Sequence, residues 1–156
     1  KPKEVVAYLQ ATGGEDQVIK HARVIADNWA RTDVESAAQW ALGLEGEARK
    51  EAVDRVSHEW LQHNTEEASV WISELDAGPA RDDAVRNLVN KVYRSDPAAA
   101  FAWATTMGNE NERSSYTRRA VNELKSEGKS DQARQMIRSS SLDDSEKEKL
   151  LKRLED

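Results

Sequence analysis

The sequence predicts an all-α fold: an α-solenoid of stacked antiparallel helical hairpins with a period of 31 to 33 residues, closed by a C-terminal capping helix. Three observations predict it. Trp40, Trp71 and Trp103 stand 31 and 32 residues apart, and each lies seven residues after an Asp or Asn, at Asp33, Asn64 and Asp96. Arg49, Arg81 and Arg113 recur every 32 residues, each followed three positions later by Ala52, Ala84 or Tyr116. Between these markers the apolar residues run at i, i+1, i+4, i+5 and i+8, a spacing that gathers them on one helix face and does not alternate as a strand would.

Each element follows from that register, and the whole of residues 1–156 reads as a single helical-repeat domain. Residues 1–14 read as the second helix of a hairpin, with Lys1-Pro2 in the place of Asp96-Pro97 and Val5, Tyr8 and Leu9 on its apolar face. Its first helix has no counterpart in the chain, so the expectation is a segment of a longer protein with more upstream. Residues 15–46 form a repeat whose apolar positions are Ala22, Ile25, Ala26, Trp29 and Ala30, then Ala37, Trp40, Ala41 and Leu44. Residues 47–77 repeat it with Ala52, Val53, Val56, Trp60 and Leu61, then Ala68, Trp71, Ile72 and Leu75.

In residues 78–108, Gly78-Pro79 opens a helix carrying Ala84, Val85, Leu88, Val89 and Val92; Asp96-Pro97 opens its partner with Ala99, Ala100, Trp103, Ala104 and Met107, closed by Gly108. Residues 109–140 are the weakest repeat, with Tyr116, Ala120, Val121 and Leu124, then Ala133, Met136 and Ile137. Residues 141–156 make the cap, with Leu150, Leu151 and Leu154 on one face and charges elsewhere.

The recurring Asp33, Asn64 and Asp96 have a physical task. A side-chain oxygen at a helix N-cap accepts from the orphan N–H groups of the first turn, and losing one such cap costs about 1 kcal/mol. Ser130 is expected to do the same for the last repeat. Proline after Asp96 suits the first helical position, where its missing N–H is no loss.

Composition sets limits on function. With 38% hydrophobic and 33% charged residues the core is modest, and stacked hairpins tolerate that because each needs only its neighbours. Five tryptophans supply bulk as packing between helices, beside alanines that let helices approach. The off-pattern aromatics Tyr93 and Phe101 are expected at packing edges. A net charge of −6 argues against general attraction to nucleic acid or anionic membrane, and no segment is long and apolar enough for membrane insertion. Without cysteine there is no disulfide and no thiolate metal site, and the compartment stays open.

No motif carries catalysis. His58 and His63 sit at i and i+5, about 140° apart on a helix, whereas a zinc helix needs i and i+4. Gly128-Lys129-Ser130 resembles the tail of a phosphate loop but lacks its first glycine and follows a helix instead of a strand. Carboxylate pairs such as Glu66-Glu67 and Asp143-Asp144 fall at helix starts, where the helix dipole favours them. Neither a cofactor nor a metal is expected.

The remaining candidate is a surface. Arg23, Asp54, Arg86 and Arg118 occupy matching positions on the first helices, with Arg55, Asn87 and Arg119 one residue on. Of these, Arg23, Arg55, Arg86, Asn87, Arg118 and Arg119 are the candidate partner-binding residues, because the planar guanidinium grips carboxylates in bidentate fashion. The competing expectation is a solvated face of ion pairs within the chain.

The unit built on Trp29, Asp33, Ala37-Ala38 and Trp40, recurring as Trp60, Asn64, Ala68 and Trp71, resembles tetratricopeptide-like α-solenoids in architecture, although their period is 34. It also resembles the Trp-x-x-x-Asp-Pro-x-x-Ala-x-x-Trp repeats of large bacterial proteins, over about residues 1–140. Both resemblances imply a non-catalytic scaffold that binds a protein or peptide partner. The alternative is an accessory superhelical domain of a larger enzyme whose catalytic part lies outside this chain.

Overall fold

The structure, a computed structural model, describes residues 2–155, with residues 10 and 15 described by their backbone alone. Among the described residues there are ten α-helices and no strand: α1 (Pro2–Thr12), α2 (Gly14–Ala30), α3 (Val34–Leu42), α4 (Gly46–His63), α5 (Thr65–Glu74), α6 (Pro79–Val92), α7 (Pro97–Ala104), α8 (Glu110–Ser126), α9 (Ser130–Ser139) and α10 (Asp144–Lys152). They form antiparallel hairpins that stack within two compact units, Lys1–Asn87 and Leu88–Asp156, with α10 as the capping helix of the second.

In the first unit, α2 and α3 make one hairpin and α4 and α5 the next, and α2 lies along α4. The stacking face is built of small residues. Ala22 and Ala26 on α2, with Ala52, Val53 and Val56 on α4, are all fully buried, and such side chains permit axes at the near end of the usual 8–10 Å spacing. Tryptophans fill what remains. Trp29 and Trp40 have ring centroids 5.9 Å apart, Trp60 and Trp71 5.5 Å, and both pairs are inclined by 34°. The two hairpins therefore repeat one aromatic geometry, worth about 0.5–1.5 kcal/mol per pair beyond the area buried. The indole N–H groups of Trp40 and Trp71 are buried without a hydrogen-bond partner among the described residues; a donor so placed costs about 1–3 kcal/mol, which the packing of the rings offsets.

In the second unit, α7 packs on α8, α8 on α9, and α10 on both α8 and α9. Ala120, Val121, Leu124, Ala133 and Ile137 form its core with Leu142, Leu150 and Leu154. Arg113, third of the recurring arginines, ties the unit together: its Nε donates to Glu146 at 2.8 Å and its Nη1 to the carbonyl of Met107 at 3.0 Å. The Glu146 carboxylate holds the Arg113 guanidinium above its ordinary pKa.

The expected caps are present. Asp33, Asn64 and Asp96 accept from the backbone N–H of Ser36, Glu67 and Ala99 at 3.0, 3.1 and 2.9 Å. Asn109 caps α8, and Asp143 with Glu146 forms a reciprocal capping box on α10. Asn64→Ala is expected to lower stability by about 1 kcal/mol. Urea denaturation followed by circular dichroism measures this, and a loss above about 3 kcal/mol would show that the side chain does more than cap.

Four expectations are corrected. Ser130 is the first residue of α9 and not its cap; Lys129 holds the cap position without a side-chain hydrogen bond. The reason is the preceding turn. Lys129 N–H reaches the carbonyl of Leu124 at 2.8 Å and Gly128 N–H that of Lys125 at 3.0 Å, a closure that needs φ +75° at Gly128 and returns the chain to helix at once. Second, α7 ends at Ala104, and Met107 reaches the core from a tight turn in which its N–H bonds to Ala104. Third, on α1 the buried residue is Val6, while Val5 and Tyr8 are 46% and 66% exposed, because α1 has α2 as its neighbour and turns Val6 toward it. Fourth, Phe101 lies in the core, 2% exposed, and not at an edge. The placement of Lys1 at a cap falls outside the described residues.

Candidate partner-binding surface

Four of the six candidate residues belong to the first unit. Arg23 on α2 is exposed and, among the described residues, has Glu51, 3.9 Å away, as its ion-pair partner. Arg55 on α4 is engaged within the chain: its Nη2 donates to Asp27 of α2 and, at 3.3 Å, to Glu59. Arg31 completes a ring of alternating charge, 3.1 Å from Asp27 and 3.7 Å from Glu59. The hydrogen bond from Arg55 is the main reason the Asp27 carboxyl sits below its ordinary pKa.

Arg86 on α6 pairs with Asp83 at 3.0 Å and lies 3.6 Å from Asp54. Asn87 donates to the Asp54 carboxylate and to the Ser57 hydroxyl, each at 2.9 Å, so its amide joins α6 to α4. Ser57 is fully buried and itself donates to the carbonyl of Asp54 at 2.9 Å. Asp54, the acidic member of the register, is thus the anchor that Arg86 and Asn87 share.

In the second unit, the Arg119 guanidinium lies over the Tyr93 ring, 3.8 Å from its centroid, and donates to Asn90 at 2.8 Å. Side-chain hydrogen bonding from Arg119, and then from Arg94, holds the Tyr93 phenol below its ordinary pKa. Arg118 differs from all the others. It is exposed on α8 and lines an open concavity of about 390 Å³ with Ser114 of α8 and with Lys149, Lys152 and Arg153 of the α10 end. Among the described residues, the side chains of Arg118, Lys149 and Arg153 have no carboxylate partner; Lys152 pairs with Glu148 at 3.3 Å on the open surface. Four cations thus meet in one hollow of an acidic chain.

Lys149, Lys152 and Arg153 escaped the sequence reading because they were counted as the polar face of a cap. The signal was available in their spacing of three and four residues, which places cations on one side of a helix.

The other titratable groups serve the fold. Asp33 lies below its ordinary pKa mainly through Ser36, the residue it caps, and Lys50 above its own through Asp83 and then Glu47. His58 and His63 are exposed on α4. Among the described residues no three His, Asp or Glu side chains stand close enough to hold a metal ion, and no helix is long and apolar enough to cross a membrane. Compared with known proteins, the chain matches no family model, no curated protein and no solved structure.

Proposed function

We propose that this chain is a non-catalytic interaction scaffold whose basic hollow, Arg118 with Lys149, Lys152 and Arg153, captures an acidic segment of a partner protein. The observation that carries the reading is that hollow. Three of its four cations, Arg118, Lys149 and Arg153, have no carboxylate partner among the described residues; gathered so, they repel one another, and an incoming carboxylate relieves that repulsion while gaining charge-assisted hydrogen bonds. The paired helices of 31 to 33 residues support a tetratricopeptide-like scaffold of bacterial type, an architecture that serves peptide capture. Supporting a non-catalytic role, among the described residues each group with a shifted pKa is engaged in an ion pair, a cap or a ring contact, and no nucleophile, base and orienting group converge. Arg23 and Arg86 offer further cationic contacts in the first unit, while Arg55, Asn87 and Arg119 rigidify the helices that carry them.

Fluorescence anisotropy with a labelled peptide of alternating Glu and Gly tests this. Binding is expected at low salt, weakening as salt rises through screening. Replacing Arg118, Lys149 and Arg153 by Glu is expected to weaken it by a factor of about 100 or more, corresponding to about 1 kcal/mol per reversed charge, with the helical signal unchanged. Equal binding by wild type and variant would overturn the assignment.

A further inference from the structure

A second kind of site lies in the first unit. The two tryptophan pairs each wall an open concavity, of about 500 Å³ at Trp29 and Trp40 and about 530 Å³ at Trp60 and Trp71. They are the same feature one repeat apart: Trp29, Glu35 and Trp40 in the first correspond to Trp60, Glu66 and Trp71 in the second, each 31 residues on. Glu35 lines both, so the two lie side by side.

They differ in one respect. The first concavity is lined by a cation of the chain itself, Lys3 of α1. The second has no lining cation, and its rim carries four carboxylates, Glu35, Glu66, Glu67 and Glu74, none of which has an ion-pair partner among the described residues. Among the described residues, Glu67 alone of the four has a side-chain donor, the Trp60 indole at 3.5 Å. Val70 on the same wall is 55% exposed. An indole pair, an exposed aliphatic side chain and unneutralised carboxylates together suit a group with an apolar stem and a cationic head, since indole faces attract cations and carboxylates complete the charge. At the neighbouring copy of the site, Lys3 is an exposed residue of the lining.

From this we propose that the Trp60–Trp71 concavity binds a lysine or arginine side chain of a basic partner segment. The site is distinct from the basic hollow of the second unit and selects the opposite charge, so neither assignment depends on the other.

Calorimetric titration of the whole chain with a capped Gly-Ser peptide carrying spaced lysines, read together with intrinsic tryptophan fluorescence, tests the proposal. One peptide is expected to bind per chain with a change in indole emission, and the same peptide with norleucine for lysine is expected not to bind. Changing Glu35, Glu66 and Glu74 to Gln is expected to weaken binding by about tenfold or more. Removing three carboxylates from the second unit instead, by Glu110→Gln, Asp144→Asn and Glu155→Gln, is expected to leave it unchanged. Trimethylation of the peptide lysines is expected to preserve binding, because attraction to an indole face needs no N–H.

Lys3→Met removes the cation from the lining of the first concavity and is expected to raise the stoichiometry toward two, a readout that requires no change to the tryptophan packing. Equal loss of affinity in the two carboxylate variants would mean a general response to charge and would overturn the proposal. So would binding without an indole signal, or a stoichiometry that Lys3→Met leaves at one.

Discussion

Trp71→Ala lowers the free energy of unfolding by about 3–5 kcal/mol, the range for truncating a large aromatic in a packed interior. Trp71 is 9% exposed and tilts against Trp60 at 5.5 Å, on the same face of α5 as the fully buried Ala68 and Ile72. Removing its ring leaves a cavity that backbone held by two helices does not collapse to fill, and it strips Trp60 of its aromatic partner. Trp71→Phe separates the contributions. Phenylalanine keeps most of the apolar contact and removes the unpartnered indole N–H, so its cost is expected to stay near 1 kcal/mol. Urea denaturation of both variants beside Asn64→Ala decides the matter. A Trp71→Ala cost no greater than that of the cap would mean the aromatic pair does not hold the hairpin.

The second large effect is expected at Arg55. Arg55→Met leaves Asp27 and Glu59, both largely shielded, with Arg31 as their remaining counter-charge, and Arg31 is mostly exposed. Breaking a deeply buried pair costs more than this, but the Arg55 and Asp27 side chains keep 19% and 21% of their exposure, and solvent screens what is lost. The expected penalty is about 1–3 kcal/mol.

The pH dependence identifies the cause. Asp27 has its pKa lowered in the folded chain from an ordinary 3.8, first through its hydrogen bond with Arg55. Its stabilisation is therefore complete above 3.8 and disappears as the pH falls through the lower folded value. Arg55→Met brings the folded value back toward the unfolded one, so this variant is expected to lose less additional stability than wild type on acidification below that point. Parallel acid profiles for the two proteins would show that Arg55 acts through contacts other than Asp27.

Local order proved readable in the sequence because helix formation is a short-range matter. The recurrence of Asp33, Asn64 and Asp96 announced three caps, and each cap bonds a backbone N–H three residues along the chain. The apolar rows were legible for the same reason: a helix turns its faces at a fixed angle per residue, whatever surrounds it. Misreadings came where a neighbouring element intervened. Phe101 stands off the apolar pattern yet is buried. Val5 and Tyr8 fit the pattern yet face outward, since Val6 is the residue that α2 covers. Ser130 had the chemistry of a cap, and a turn closing one residue later than a simple helix end placed it inside the helix.

Sequence by itself determined the all-helical class, the repeat length, the caps at Asp33, Asn64 and Asp96 and the alanine and tryptophan faces, because periodicity and capping act within a few residues. Tertiary structure alone decided which of the matching basic positions are spoken for. Arg55 meets Asp27 across 28 residues and Asn87 meets Asp54 across 33, whereas Arg118 meets the further cations of α10. A guanidinium carries the same charge in each case. Whether it holds helices together or remains open to a partner depends on the sign of the group that packing brings beside it, and residues one repeat away supply that group.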